Sequence, residues 1–388
     1  MRQKHKQILF IAGFMALFAV AATNHATTGV MLTSFIEEYQ LDGASQGLCG
    51  TAESIGFIVS LFISAAMLQR MPKTKAILIM AFFMCTVLVG IGLHPSRFLL
   101  LLFCYVVFGI SFGIFDSLSS AVISDVYGEK SGKMMNYSRA VYCLGGMIAP
   151  PVMAALLNKG LPWHRVALLG GCFGIAVFLY YLLFASPAIP AVKKEKTADR
   201  LTWQGVKVFL KQKGAVRALL FGLMYYGHQL GLTIWIVRYI SNYLHEPGWG
   251  GYALSFYWIG ALSARFILPN LFSGHKKFFL FGNSAAAVLF ITGILIGNGK
   301  LMCILVFLVG FAEGTTIPLL VDYVCSLDRS KSTVACSVVI FTNNLGSLFI
   351  PSVIGAAISL VGADRGIFIL PLLSVACTMT ALRMPEHE

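Results

Sequence analysis

Three carboxylates stand where a carboxylate is expensive. Glu53, Asp116 and Glu313 each lie inside a long apolar run, and a charge at bilayer depth costs at least ~2.5–3.5 kcal/mol on insertion scales. Such a group needs a partner or a water-filled cavity. In a partly dry cavity a carboxylate also keeps its proton closer to neutral pH, which suits a proton carrier. Asp116 is the foremost candidate and Glu313 follows. Glu53 lies nearer an end of its run, where a solvated role also fits. For each of them a structural ion pair or a hydrogen-bonded anchor is the competing reading.

Arg139 is the most informative cation. Counted from the nearest helix end at 1.5 Å per residue, Asp116 is ~14 Å deep and Arg139 ~9 Å deep on adjacent antiparallel runs. The two can pair. An arginine can also receive a carboxylate through two parallel N–H bonds, so ion pairing and direct anion binding both stand. Tyr142 and Gly146 follow it at three and seven residues, on one helical face.

A second cluster, Tyr225, His228 and Gln229, presents a hydroxyl, an imidazole and an amide at helical spacing, with Trp235 and Arg238 further along. These groups suit a polyol or an organic anion. Asn24, His25, Thr27 and Thr28 form a third group, and Asn343 and Asn344 a fourth; Tyr257 and Trp258 could line a cavity. Each could equally be polar glue between helices. The candidate binding residues are therefore Asn24, His25, Thr28, Arg139, Tyr142, Tyr225, His228, Gln229, Trp235, Tyr257 and Asn343. Arg70, Asp125, Arg265 and Asp322 read as gating or structural charges. There is no nucleotide loop, no metal-ligand spacing and no nucleophile with an assembled base. The nine cysteines contain no C-x-x-C pair and read as buried hydrophobes.

The elements that must position these groups follow from composition. Of 388 residues 57% are apolar and 12% charged, about half the ~25% charge of a soluble domain. A helix crosses a bilayer in about 20 apolar residues. That ruler predicts twelve spans: 8–36, 46–68, 75–94, 97–126, 134–157, 164–185, 215–240, 250–272, 277–297, 301–325, 333–361 and 365–383. The basic residues then choose an orientation. With both termini in the cytoplasm, 21 of the 29 Lys and Arg face inward and five face outward. The net charge of +13 is thus topology and calls for no nucleic acid. The first 23 residues resemble a signal peptide superficially, but cleavage there would halve the first span. The expected domains are 1–186, a linker 187–213 and 214–388. Within the linker, Trp203, Val206 and Leu210 share a face, as in a short helix lying on a membrane; a plain charged linker is the alternative.

The two halves repeat. Gly113-Ile114-Phe115-Asp116 falls on Gly310-Phe311-Ala312-Glu313 at an offset of 197, and Asp125 on Asp322. After a short insertion, Leu144-Gly145 and Pro150 fall on Leu345-Gly346 and Pro351. The order acid, acid, charged turn, Gly, Pro recurs. Two six-span halves in parallel repeat are a transporter architecture with the site at midplane.

On these residues the chain resembles the major facilitator superfamily. Ala65-Ala66-Met67-Leu68-Gln69-Arg70-Met71-Pro72-Lys73 is similar to the family's G-x-x-x-D-R-x-G-R/K turn, with Ala65 and Gln69 in place of its Gly and Asp. Within the family it resembles the fucose-permease-like sugar:proton symporters. The likeness is carried by Ser111-Phe112-Gly113-Ile114-Phe115-Asp116-Ser117, by Gly128 to Tyr142, by Met224-Tyr225-Tyr226-Gly227-His228-Gln229, and by Gly260 with Ala264-Arg265. Their span-1 acid would fall near Gly29, and Gln229 replaces another acid. In their motif the Arg139 position is polar and uncharged. The resemblance implies an all-α integral membrane protein of 12 transmembrane helices in two pseudo-symmetric six-helix bundles, not an enzyme.

The expectation is a secondary transporter with alternating access, proton-coupled, importing a sugar or sugar-like organic acid. Asp116, Glu313 and Glu53 would handle protons. No cofactor is expected beyond the proton gradient; the partners are a small solute, protons and membrane lipid, with the chain a monomer in a bacterial inner membrane. One alternative is a proton-driven exporter, since Gly145 and Pro150-Pro151 echo the antiporter signature, although Met153 and Ala154 replace its closing glycines. Another is a membrane receptor or lipid handler without transport.

Overall fold

The computed structural model describes residues 2–42, 45–127, 131–188, 203–271, 274–327 and 332–386. Helices α1 (Arg2–Tyr39), α2 (Leu48–Arg70), α3 (Lys73–Gly92), α4 (Phe98–Tyr127), α5 (Ser131–Asn158) and α6 (Trp163–Tyr180) come first. A short α7 (Trp203–Leu210) follows. Then come α8 (Ala215–Arg238), α9 (Gly250–Leu271), α10 (His275–Ile296), α11 (Gly299–Glu313), α12 (Thr316–Leu327), α13 (Ser332–Val361), α14 (Ala363–Gly366) and α15 (Ile369–Leu382). Among the described residues ten stretches are long and apolar enough to cross a membrane. α8 and α9, of 24 and 22 residues, are equally long but diluted by Tyr, His, Gln, Ser and Arg. With them the twelve predicted spans are complete, and the protein is an integral membrane protein.

The sequence explains where the helices stop. Pro72 and Pro162 lack an N–H to lose and sit just before the first turns of α3 and α6. The Asn298 side chain accepts the Leu301 N–H at 3.0 Å and caps α11. Ahead of α2, Asp42 Oδ1 accepts the Ser45 N–H at 3.1 Å.

Two compact units result: Met1–Leu41 with Ala52–Lys194, and Asp42–Thr51 with Glu195–Glu388. In the first, α1 packs on α5 and α3 packs on α4 and α6. In the second, α8 packs on α13, α9 on α11, and α10 on α11 and α15. Residues 42–51, which lead into α2, are held within the second unit. There the Thr51 hydroxyl donates to Leu348 O at 2.6 Å, and Arg238 donates to Gln46 Oε1 at 2.7 Å.

The repeat has a physical counterpart inside each unit. A Cβ on Gly113 would strike Ser60 of α2, and one on its repeat mate Gly310 would fall on the Tyr257 carbonyl of α9. A Cβ on Gly145 would lie 2.9 Å from Ala19 O of α1, and one on Gly346 would fall on the Leu223 carbonyl of α8. Matched glycines therefore let matched helix pairs approach closely, to backbone contact at Gly145, Gly310 and Gly346 and to the Ser60 side chain at Gly113, the small-residue packing of membrane helices.

Four elements differ from the sequence reading. Span 10 is broken: α11 ends at Glu313, Gly314 and Thr315 intervene, and α12 begins at Thr316. Spans 6 and 7 end in wider π turns at Tyr181–Ala185 and Tyr239–Tyr243. In α7 the residue that anchors the helix is Phe209, which is fully buried in the core of the second unit, while Leu210 on the predicted face is exposed. The helix is docked on protein because that core offers Phe209 an apolar seat. The Trp203 side chain, most of the 187–213 linker and the charged turn at 128–130 lie outside the described residues.

Candidate functional site

Each embedded acid has a basic side chain beside it. Asp116 on α4 meets Arg139 on α5, Oδ1 to Nη2 at 2.6 Å, with the side chains 26% and 40% exposed. Glu53 on α2 meets His25 on α1 at 2.9 Å; Glu53 is buried and His25 nearly so. Glu313 at the end of α11 lies 3.6 Å from His228 Nδ1 on α8, and both are sealed from solvent. The first two pairs belong to the first unit and the third to the second.

The Asp116–Arg139 pair is framed by aromatic rings. The Arg139 guanidinium lies over the Phe18 ring, 5.3 Å from its centroid, and Phe112 stacks on Tyr142 at 5.9 Å with planes 5° apart. Phe18 also meets Phe115 at 5.0 Å. A ring face holds the flat of a guanidinium and leaves its N–H edges for carboxylates.

The Glu313–His228 pair is of another kind. At 3.6 Å the groups are too far apart to hydrogen-bond. Neither carboxylate oxygen and neither ring nitrogen has a hydrogen-bond partner among the described residues. Charging one member alone there would cost several kcal/mol. The backbone around it is well tied: the Tyr225 hydroxyl donates to Glu313 O at 3.0 Å, and Arg265 Nε donates to Gly314 O at 3.3 Å. Both carbonyls are freed by the break in span 10, so Arg265 acts here as the cap of a helix end.

Several other candidates are occupied by their own scaffold. The Asn24 amide donates to Met84 O at 2.7 Å, joining α1 to α3. Trp235 is fully buried and its Nε1–H donates to Pro351 O at 3.0 Å. Oriented to satisfy its neighbours, the Asn343 amide donates to Gly222 O at 3.3 Å and Val339 O at 3.1 Å. Gln229 Nε2 donates to the Tyr257 hydroxyl at 3.1 Å. The buried Thr28 hydroxyl has no hydrogen-bond partner among the described residues. Asp322 is 71% exposed and pairs with His275 at 2.7 Å. Arg70 is exposed, while the Asp125 and Gln69 side chains lie outside the described residues. Among the described residues no group of three or more His, Cys, Asp or Glu could hold a metal.

The structure brings together residues the sequence ranked separately: His25 with Glu53, and His228 with Glu313. It adds Phe18 and Phe112, which sequence reasoning missed. Phe112 stands one helical turn before Asp116, so its place beside the acid was available from spacing alone.

The family model described as Major Facilitator Superfamily matches residues 9–351. A Protein TsgA homolog of Erwinia tasmaniensis is 26% identical over 235 residues, covering 59% of this chain and 57% of that protein. The chain thus matches a little over half of that relative's length. A Protein TsgA homolog of Buchnera aphidicola is 21% identical over 329 residues, covering 83% of this chain and 81% of that protein. The xylose transporter XylE from E. coli superposes with a TM-score of 0.77 at 12% identity, covering 99% of this chain and 98% of that one. That likeness is one of fold.

Proposed function

Because the chain belongs to the major facilitator superfamily, and so is a transporter, we propose that it couples proton movement to import of a small polar solute, a sugar or sugar-like organic acid. The observation that carries this reading is the Asp116–Arg139 pair, close at 2.6 Å yet partly exposed. An ion pair of this kind has two states. With Asp116 ionised it holds Arg139; with Asp116 protonated it releases it, and the guanidinium becomes available to solute. Glu53 with His25, and Glu313 with His228, are further stations where a proton can be held against a neighbouring base. Energy comes from the proton gradient. On this reading, which the basic bias supports, both termini lie in the cytoplasm and the chain works in a bacterial inner membrane as a monomer.

The test is flux in proteoliposomes with an imposed pH gradient, screened over sugars, hexuronates and short carboxylates. Gradient-driven accumulation is expected, and Asp116→Asn should lose it. Absence of gradient-dependent flux in either direction refutes proton coupling. Flux of solute against the proton movement would identify an exporter.

A further inference from the structure

The geometry points to an organic carboxylate as the solute: it takes Arg139 from Asp116, and Asp116 takes one proton in exchange. This deepens the reading above and rests on it.

Coupling requires that solute binding change the proton affinity of some group in the protein. A neutral polyol cannot do so at this pair, since it offers Arg139 no counter-charge and leaves the contact with Asp116 in place. A carboxylate can replace Asp116 against the guanidinium, because both present the same planar pair of oxygens. Arg139 is 40% exposed and lies over the Phe18 ring, so its plane is held while its edge is reachable. Asp116, left partly buried without its counter-charge, is then neutralised by a proton. Charge balances throughout: one carboxylate and one proton enter together, and the site begins and ends neutral. The half-buried Tyr142, backed by the buried Phe112 ring, offers an apolar wall to the body of the solute.

Among the described residues, Arg139 is the charged group seen against Asp116. α5 brings Arg139 to Asp116 and sets Tyr142 on Phe112. α1 brings Phe14 and Phe18 against Phe115, and its His25 is engaged by Glu53 of α2. The cations of α3, Lys73 and Lys75, lie in its first turn, far along the helix.

The experiment is calorimetric titration of the purified full-length protein with glucuronate, benzoate, lactate and succinate. Glucose serves as the neutral counterpart of glucuronate. Repeating each titration in buffers of different ionisation enthalpy counts the protons taken up. At least one carboxylate should bind with about one proton taken up per carboxylate group engaged, and its affinity should fall about tenfold per pH unit over the range where that uptake holds. Asp116→Asn should bind the same carboxylate without proton uptake and with no such slope. Arg139→Gln should lose carboxylate binding at least tenfold. Failure of every carboxylate to bind, binding without proton uptake by the unaltered protein, or equal binding by Arg139→Gln overturns the inference. Gradient-driven uptake of glucose alone would leave proton coupling standing while refuting this choice of solute. Proton-linked carboxylate binding without gradient-driven flux would do the reverse.

Discussion

Substitution of Gly346 by alanine sets two effects against each other, and their magnitudes decide the outcome. Replacing a glycine inside a helix by alanine favours the helix by roughly 0.5–1 kcal/mol. Gly346 lies within α13, so propensity alone predicts a more stable protein. The added methyl, however, would fall on the Leu223 carbonyl oxygen of α8, with the carbonyl carbon 2.7 Å and Cα 3.1 Å away. These are backbone atoms in the middle of a helix and cannot turn aside. Relief requires α8 and α13 to separate by about 1 Å, and overpacking of this kind costs about 1–3 kcal/mol. The two helices also carry His228, Tyr225 and Asn343, so the separation loosens Asn343's bond to Gly222. The net expectation is destabilisation by about 1–2 kcal/mol, or a Tm lower by about 2–6 °C. Gly248→Ala is the control. It lies in a turn with no atom within 4 Å of the new methyl, and its Tm should stay within about 1–2 °C. Thermal unfolding of both variants in one detergent measures the difference. If Gly346→Ala matches or exceeds the unaltered protein, close packing of α8 on α13 through this glycine is wrong.

Trp235→Phe removes the bond to Pro351 O while keeping most of the ring, so it should cost about 0.5–1.5 kcal/mol; an unchanged Tm would deny that bond a role. His25→Ala leaves the buried Glu53 carboxylate without its partner, a loss on the order of 3 kcal/mol. The double variant His25→Ala with Glu53→Gln should recover part of it, and a strictly additive loss in thermal unfolding would argue against their pairing. Arg265→Gln uncaps Gly314 O and should lower stability by about 1–3 kcal/mol, whereas an equal Tm would mean the carbonyl finds another donor.

Span number and the position of the repeat were legible because both are written in composition and order. Twenty-residue apolar runs separated by Pro, Gly and charged turns leave little choice to a chain in lipid. The repeat was legible at Gly113 and Gly310 because close approach admits only small side chains. The pairing of Asp116 with Arg139 was one of two readings the residues left open, beside direct anion binding; it was within reach because consecutive helices are neighbours and two opposite charges at similar depth can meet. Other pairings were less accessible. His228 and Glu313 lie 85 residues apart in sequence, and the repeat misled here: at the offset that matches Gly145 to Gly346, Arg139 falls on Ile340, which bears no charge. Glu313 therefore finds its base on α8, a contact fixed by packing. Asn24 and Trp235 looked like binding groups because polar atoms in lipid are rare. Their partners, Met84 O and Pro351 O, are backbone carbonyls, which side-chain identity does not announce.

The break after Glu313 has a mechanical consequence. A helix end in lipid leaves carbonyls that must find donors, and here two of them are taken by different helices: Glu313 O by Tyr225 of α8 and Gly314 O by Arg265 of α9. A bare interruption of this kind would be a soft joint, free to flex alone. Tied on both sides, it can bend only by carrying α8 and α9 with it or by exchanging a bond. Any tilt of α11 is thereby shared with the helix that bears His228 and with the helix that bears Tyr257. The joint acts less as a hinge than as a knot, through which strain at one carboxylate is distributed over three rods.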